Sequence, residues 1–418
     1  MPQAISTTFA ARLFDRERLD RIADGLAVAL AVSLPWSTSA TGILAALWFI
    51  AVLPTLDFAR LRQVALSPAG GLPIVFALLA LLGVLWSEAS WRECFAAVVP
   101  YARMLAIPLL ICQFSRSPRG VFVIYGLIAS GTVLLIVSYW SYWFDGSIWY
   151  PFRVKQVGVP LKNYIIQSAF FTICAFTLIE MATERWRAQQ RRIAAGLLLL
   201  ALAFLANIAL VATGRTALLV IAVLLALYAL RQANWKAAIA VIAVGIALAG
   251  AAWLSSDYLR KRVVGVFTEI HDYSTQNKST SSGQRIEMWR NSVKLVAQAP
   301  IVGYGTGALA TTLKSATRDN LIIPNGDNPH NQTFTVAIQL GLAGVIVLYA
   351  LWLSHFLKFR GAGWAAWFGT VVVVQIVVGS LVNSYLFDFE AGWTYAVCVG
   401  VAGGIVQRRN AAATTRHT

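Results

Sequence analysis

Residues 193–230 read IAAGLLLLALAFLANIALVATGRTALLVIAVLLALYAL, and Arg215 is the one charged residue in this stretch. Its first half is long enough to cross a hydrocarbon layer that is roughly 30 Å thick, which takes about 20 helical residues. Gly214 and Arg215 interrupt the apolar run before a second, shorter one begins. The stretch therefore predicts two membrane helices joined by a tight turn.

The same pattern extends along the whole chain of 418 residues, of which 58% are hydrophobic and 12% charged, with a mean hydropathy of +0.67. A soluble globule of this length is far less apolar. The apolar runs are continuous rather than alternating, which excludes an outer-membrane barrel. The predicted fold is all-α, a polytopic membrane protein with about twelve transmembrane helices. The predicted spans are residues 22–36, 41–56, 72–86, 95–112, 120–143, 164–181, 193–213, 216–230, 237–254, 332–355, 364–384 and 392–407.

The net charge of +16 would suggest a nucleic-acid partner in a soluble protein. In a membrane protein, an excess of Lys and Arg instead marks the cytoplasmic side. If both termini are cytoplasmic, the segments on that side carry most of the basic residues. The short outer loops then carry only Arg92, Arg153, Lys155, Lys162 and Arg215. The charge is thus mostly a matter of topology, and membrane lipids rather than nucleic acid are the predicted surroundings.

We expect one integral membrane domain with an interruption on its outer side. Residues 1–254 hold the first nine spans with short loops, residues 255–331 form one long periplasmic loop, and residues 332–410 hold the last three spans. No cleavable signal is recognised, so the first span is expected to stay. Within the long loop, an amphipathic helix is predicted over residues 284–298, lying on the membrane surface through Ile286, Trp289, Val293 and Val296.

His330 is the first candidate for chemistry. It lies where the long loop re-enters the membrane, close after Asp327 and Pro329. An imidazole in such a wet but partly shielded place can serve as a base near neutral pH. The alternative is a histidine that only caps a helix or hydrogen-bonds within the loop.

Arg215 and Arg285 are candidate binding residues on the same outer side. A guanidinium has five donors and binds phosphate in a bidentate manner, so Arg215 at the membrane surface suits a lipid-linked phosphate. Arg285 would lie in the first turn of the predicted loop helix, where a cation is unfavourable to the helix and therefore hints at a ligand. The alternatives are a snorkelling Arg215 and an exposed Arg285 that pairs with Glu287 or Asp272.

Other basic residues are possible substrate contacts. Arg103 lies inside the fourth predicted span, where it is expected to face a polar cavity or to pair with an acid. Before the sixth span, a basic and aromatic loop suits a polyanionic saccharide or an ordinary membrane-interface belt. Its candidate residues are Arg153, Lys155, Lys162 and Asn163.

Neither a metal nor a cofactor is predicted. Asp388-Phe389-Glu390 is the only D-x-E motif on the outer side, and phosphate-binding, zinc-protease and serine-hydrolase motifs are missing from the sequence. The four cysteines, Cys94, Cys112, Cys174 and Cys398, fall in or beside apolar runs without metal-ligand spacing, so neither a disulfide framework nor a zinc site is expected.

A set of motifs around the long loop resembles the bacterial O-antigen ligase superfamily. The likeness covers roughly residues 195–350. Its motifs are Gly214-Arg215, Ser282-Gly283-Gln284-Arg285 with Trp289, Pro300-Ile301-Val302-Gly303-Tyr304-Gly305-Thr306-Gly307, and Pro329-His330-Asn331, with the Lys162-Asn163 loop also similar.

The resemblance implies a multi-span glycosyltransferase with a periplasmic active site. By that resemblance, it transfers a polysaccharide from undecaprenyl pyrophosphate to the lipid A core oligosaccharide without a metal. Arg215 and Arg285 would hold the pyrophosphate, His330 would take the proton from the acceptor hydroxyl, and Tyr304 and Asn331 would be further substrate contacts. Relatives that polymerise O-antigen repeats or glycosylate proteins use the same motifs. A polysaccharide transporter is the alternative from another class, although transporters usually have paired halves.

Overall fold

The computed structural model describes residues 16–144, 157–161, 163–232, 234–276, 279–318, 320, 322–323 and 326–414. Its regular structure is helical, which confirms the predicted all-α class of a polytopic membrane protein. The helices are α1 (Arg16–Ser33), α2 (Thr38–Val52), α3 (Phe58–Leu66), α4 (Pro68–Leu82), α5 (Trp91–Ala102), α6 (Ala106–Arg116), α7 (Gly120–Trp143), α8 (Tyr164–Arg187), α9 (Arg191–Leu210), α10 (Arg215–Arg231), α11 (Trp235–Ser255), α12 (Asp257–Gln276), α13 (Ser281–Gln298), α14 (Leu309–Ala316), α15 (Gln332–Lys358), α16 (Trp364–Gly379) and α17 (Phe389–Thr414).

Helices lie at all twelve positions where the sequence predicts spans. Among the described residues, nine helices are long and apolar enough to cross a membrane, α5 and α6 counting as one that is joined by a 3₁₀ turn. The three other predicted spans correspond to α1, which is charged at its beginning, and to α10 and α16, which have 17 and 16 residues. The short helix α3, between the second and third spans, was not predicted.

The interior of the bundle is centred on α16 and α17. Most residues of α16 are buried, and so is nearly every residue of α17 from Ala391 to Val406. By contrast, α11 has no buried residue and packs mainly beside α10. A helix this apolar with no buried face suits contact with lipid around most of its surface.

The described part of the long loop contains three helices, α12, α13 and α14, of which only α13 was predicted. The helix at 284–298 is confirmed with an earlier beginning at Ser281, and its buried side coincides only in part with the predicted apolar face. Met288, Ser292 and Leu295 are buried, whereas Val293 is 55% exposed. Through this buried side, α13 packs against its neighbours α12, α14 and α15.

A break in α15 fixes the glycine turn of residues 303–307. Gly341 has φ 59° and ψ −156°, so the helical hydrogen bonds stop there. The freed carbonyls of Ile338 and Gln339 accept hydrogen bonds from the amides of Tyr304 and Gly305, at 2.8 and 2.9 Å. The turn thus satisfies backbone groups that a broken membrane helix leaves without partners.

Candidate functional site

Three arginines meet where α8 and α10 begin, and we call Arg215, Arg262 and Arg285 the arginine cluster. α10 begins with Arg215, α12 carries Arg262, and α13 carries Arg285. The Arg215 Nε donates to the carbonyl of Arg262 at 2.9 Å, and Arg285 lies within electrostatic range of Arg215. The fold therefore gathers three cations from positions far apart in the sequence.

Arg215 is held by a carboxylate that the sequence did not single out. Its Nη1 and Nη2 donate to the Glu269 Oε2 and Oε1 at 3.0 and 2.7 Å, a bidentate ion pair. The Ser282 backbone N–H and hydroxyl also donate to Oε2, at 3.1 and 2.6 Å. Hydrogen bonding from Arg215, opposed by partial burial and aided by Ser282, lowers the pKa of Glu269 to about 2.

Arg285 is half-buried and, among the residues that the structure describes, neither a hydrogen-bond acceptor nor an ion-pair partner contacts its guanidinium. Because α13 begins at Ser281, Arg285 lies beyond the first turn, so the expected first-turn position is wrong. The pairing with Glu287 or Asp272 is not formed either. Burial lowers the pKa of Arg285, and Arg215 adds to the lowering. An unpaired, partly desolvated guanidinium is suited to an anionic ligand.

Arg262 completes the cluster and was not identified from the sequence. Its guanidinium lies 4.4 Å from the ring centroid of Tyr164, at the beginning of α8, and contacts the carbonyl of Thr213. Only its place in a basic stretch of α12 could have suggested it. Tyr385, which is 1% exposed, is a further neighbour of Arg285 from the loop between α16 and α17.

His330 lies beside Arg285 on a tightly held segment. Its backbone has φ 49°, and its amide donates to the Asn328 Oδ1 at 2.8 Å. The preceding carbonyl, of Pro329, accepts from the Trp289 Nε1 at 2.9 Å, which ties the segment to α13. The residue is exposed, and its imidazole has no hydrogen-bond partner within the described part of the chain.

The environment of His330 favours the neutral form of the imidazole. Surrounding protein and then the Arg285 cation lower its pKa from the ordinary 6.5, against the opposite effect of Asp327. A neutral imidazole with a free ring nitrogen can accept a proton. The helix-capping role that the sequence left open belongs to Asn331, whose Oδ1 accepts from the Phe334 amide at 3.2 Å.

Three other candidates have structural contacts. Asn163 caps α8 by accepting from the amides of Ile165 and Ile166 at 3.0 and 2.9 Å. The Tyr304 hydroxyl donates to the Gln298 Oε1 at 2.8 Å, which braces the end of α13. The Asn331 Nδ2 donates to the carbonyl of Leu381 at 2.8 Å. The candidates Arg153, Lys155 and Lys162 lie outside the described residues.

Arg103 anchors the loop that precedes α17. Its Nη1 donates to the carbonyls of Asp388 and Phe389 at 2.7 and 3.3 Å, and its guanidinium lies over the Phe389 and Trp393 rings. Burial, and then the neighbouring Glu390, raise the pKa of Asp388 to about 6, while Arg103 opposes the shift. Arg103 is thus buried near Asp388 and Glu390, but its hydrogen bonds go to backbone carbonyls and not to a carboxylate.

Within the described residues, no group of three His, Cys, Asp or Glu side chains is arranged to hold a metal ion. The four cysteines are free and buried.

Comparison with known families identifies the segment that builds the site. Residues 200–349 match the family model described as O-antigen ligase. The resemblance found from the motifs is confirmed over this segment, which carries the whole arginine cluster and His330. The match supports a membrane glycosyltransferase of the O-antigen ligase type and does not separate ligase from polymerase. No curated protein matches the chain.

Proposed function

We propose that this protein transfers O-antigen polysaccharide from undecaprenyl pyrophosphate to the lipid A core oligosaccharide at the periplasmic face of the bacterial inner membrane. The observation that carries the proposal is the convergence of Arg215, Arg285 and His330, from three separate motifs, at one end of the helical bundle. Cations beside a neutral imidazole are the groups that this transfer requires.

The reaction is a displacement at the anomeric carbon of the polysaccharide. The acceptor hydroxyl oxygen forms the new bond to this carbon, and the bond to the pyrophosphate oxygen breaks. His330 takes the proton of the hydroxyl, and the bonding electrons leave with undecaprenyl pyrophosphate. Arg285 and Arg215 stabilise the negative charge that grows on this leaving group, which lowers the barrier without a metal.

The proposed membrane arrangement has both termini in the cytoplasm and the site on the periplasmic face. It rests on the distribution of basic residues. α8 and α10 both begin at the site, with Tyr164 and Arg215, and both end with an arginine, Arg187 and Arg231. Arginine at the far ends agrees with a cytoplasmic far side.

The test is a transfer reaction with purified protein in lipid nanodiscs and labelled lipid-linked polysaccharide, with and without excess EDTA. Two acceptors are compared, lipid A core oligosaccharide and a second lipid-linked repeat. Product on the core acceptor in both EDTA conditions is the expected result. Product on the repeat alone means an O-antigen polymerase, which is the second candidate because the family match covers both. Movement of the donor across the membrane without any product means a transporter.

A further inference from the structure

The Glu269 carboxylate accepts hydrogen bonds from the same Arg215 donors that an anionic ligand would use. Its carboxylate accepts four hydrogen bonds, two from the Arg215 guanidinium and two from Ser282, at 2.6 to 3.1 Å. A guanidinium fork with an amide and a hydroxyl is also a donor set that binds phosphate oxygens. The carboxylate thus occupies a set of donors that a phosphate group can use equally well.

Arg215 cannot serve Glu269 and a phosphate with the same donors. Its Nε–H is used by the carbonyl of Arg262, and its Nη1 and Nη2 fork is used by Glu269. A pyrophosphate that approaches while Glu269 stays in place meets a like charge as well as an occupied fork. The two N–H groups that remain, one on each Nη, point apart and offer only single contacts, so bidentate binding through this fork requires the carboxylate to leave.

The ion pair is open enough for such an exchange. The side chains of Arg215 and Glu269 are 24% and 25% exposed, so solvent and ligands reach them. Arg285 lies beside the pair with no partner of its own among the described residues, so it can hold an incoming anion before the exchange. Protonation does not release Glu269, since its pKa of about 2 keeps the carboxylate charged at any physiological pH.

We propose that Glu269 is a resident competitor that occupies the phosphate position of the empty site and that the pyrophosphate of the donor displaces. The inference rests on the proposed function, because it takes a lipid diphosphate as the donor. The inference also predicts that the site prefers a diphosphate over a monophosphate. A diphosphate has enough charge and oxygen atoms to engage Arg285 and replace Glu269 on Arg215, whereas a monophosphate gains less from the same exchange.

The opposite role for Glu269 is positioning, in which the carboxylate only holds Arg215 in the correct orientation. The two roles predict opposite changes in the affinity for anions when Glu269 is removed. If Glu269 competes, its removal tightens anion binding. If it only positions Arg215, its removal loosens the guanidinium and weakens anion binding.

The experiment measures binding of inorganic pyrophosphate and of inorganic phosphate, without magnesium, to the purified full-length protein by calorimetry. Glu269→Gln keeps the size and removes the charge. We expect its Kd for pyrophosphate to fall about tenfold, as expected when a hydrogen-bonded, partly exposed ion pair no longer competes. The preference for pyrophosphate over phosphate should decrease in the same variant.

Glu287→Gln is the matched control. Glu287 lies on α13, and it contacts Tyr273 and Asn320 rather than the arginine cluster. The Kd of the Glu287→Gln variant for pyrophosphate should stay within about twofold of the wild-type value. If Glu269→Gln does not fold, Glu269→Ala replaces it, because it removes the carboxylate as well, and the same tightening is expected.

A Kd for pyrophosphate that is unchanged or higher in the Glu269 variants, or undetectable binding throughout, overturns the inference. The transfer reaction is measured separately, so the two proposals fail independently. If the wild type transfers polysaccharide normally but the Glu269 variants do not bind pyrophosphate more tightly, the proposal that Glu269 competes is rejected and the proposed transferase function is retained. If the Glu269 variants bind pyrophosphate more tightly but no acceptor gives product, the anion exchange is retained and the proposed transferase function is rejected.

Discussion

His330 has a left-handed backbone, with φ 49°, and a pKa below the ordinary 6.5. Residues other than glycine rarely adopt this backbone, and it costs about 1 kcal/mol or more. Asn328 and Trp289 hold the segment through hydrogen bonds on either side of the peptide between Pro329 and His330. The sequence indicated the histidine but not this geometry, since the contact with Trp289 spans 40 residues of chain.

Replacing His330 tests the proposed base. We expect His330→Ala and His330→Asn to lower the transfer rate by about 100-fold or more, within the usual range for a positioned base. Asparagine tolerates the left-handed backbone, so it separates loss of the base from backbone strain. Membrane abundance, donor binding and transfer rate are measured for each. A normal rate per folded molecule in the asparagine variant would assign His330 a structural role.

The pH dependence of wild-type transfer follows from the same pKa. A base must be unprotonated, so transfer should fall as the pH decreases through the pKa of His330, which lies below 6.5. The Asp327 carboxylate raises that pKa, so Asp327→Asn should move the fall to lower pH. Rates at low, subsaturating donor, which report the unliganded protein to which this pKa applies, are measured from pH 4.5 to pH 8 and give both curves. A fall at the same or a higher pH in the Asp327 variant would contradict the assignment.

Replacing Arg285 by lysine tests whether the geometry of the guanidinium matters beyond its charge. Arg285→Lys keeps a cation but loses the bidentate fork, so we expect most of the transfer activity to be lost, as also for Arg215→Lys. Arg290→Lys is the control on the same helix, where the side chain is 65% exposed and contacts Tyr273. Transfer rates at equal membrane abundance decide the matter, and near-normal rates in both cluster variants would remove these residues from the phosphate site.

At the scale of elements, the break in α15 and the glycine turn form one unit. The amides of Leu342 and Ala343, just after the break, donate to the carbonyls of Pro300 and Ile301 at 2.8 and 3.2 Å. The sequence showed the glycine-rich motif of residues 303–307 and predicted the span that begins near Gln332, but not their pairing. Local patterns locate a turn and a helix, whereas contacts between distant segments depend on the packing of the whole bundle.

Gly303→Ala should disrupt this unit. Gly303 has φ 66°, and a Cβ there would lie 2.6 Å from the carbonyl oxygen of Ile338 and from the backbone carbon of Gln339. We expect a loss of about 2 kcal/mol of stability or more, and reduced transfer, because the loop helices shift relative to α15. Gly250→Ala is the control, since a Cβ there meets nothing within 4 Å. Thermal unfolding of both purified variants checks this, and equal unfolding temperatures would contradict it.

At the scale of the whole molecule, hydropathy and charge predicted the positions of the spans but not the arrangement of the long loop. α12 was missed because its charges, a basic group at Arg260, Lys261 and Arg262 and acids further on, make it too polar to resemble a span. The Arg215–Glu269 pair joins residues 54 positions apart. Its partners become neighbours only because α12 folds back over the beginning of α10, which no local pattern encodes.

The two ends of the bundle differ in a way that a topology experiment can test. At the end opposite the arginine cluster, Arg231 pairs with Glu180 at 3.3 Å and donates to the carbonyls of Gly361 and Gly363, joining the ends of α8 and α10 to the loop before α16. Those connections carry many of the basic residues, so this end should face the cytoplasm.

Alkaline phosphatase fused after residue 276 should be active, and the same fusion after Gln232 or Thr414 inactive. Green fluorescent protein at the same three positions should give the reverse pattern, because it folds in the cytoplasm. Active phosphatase after Gln232 or Thr414, with inactive enzyme after residue 276, would invert the bundle and place the arginine cluster in the cytoplasm, away from any periplasmic acceptor.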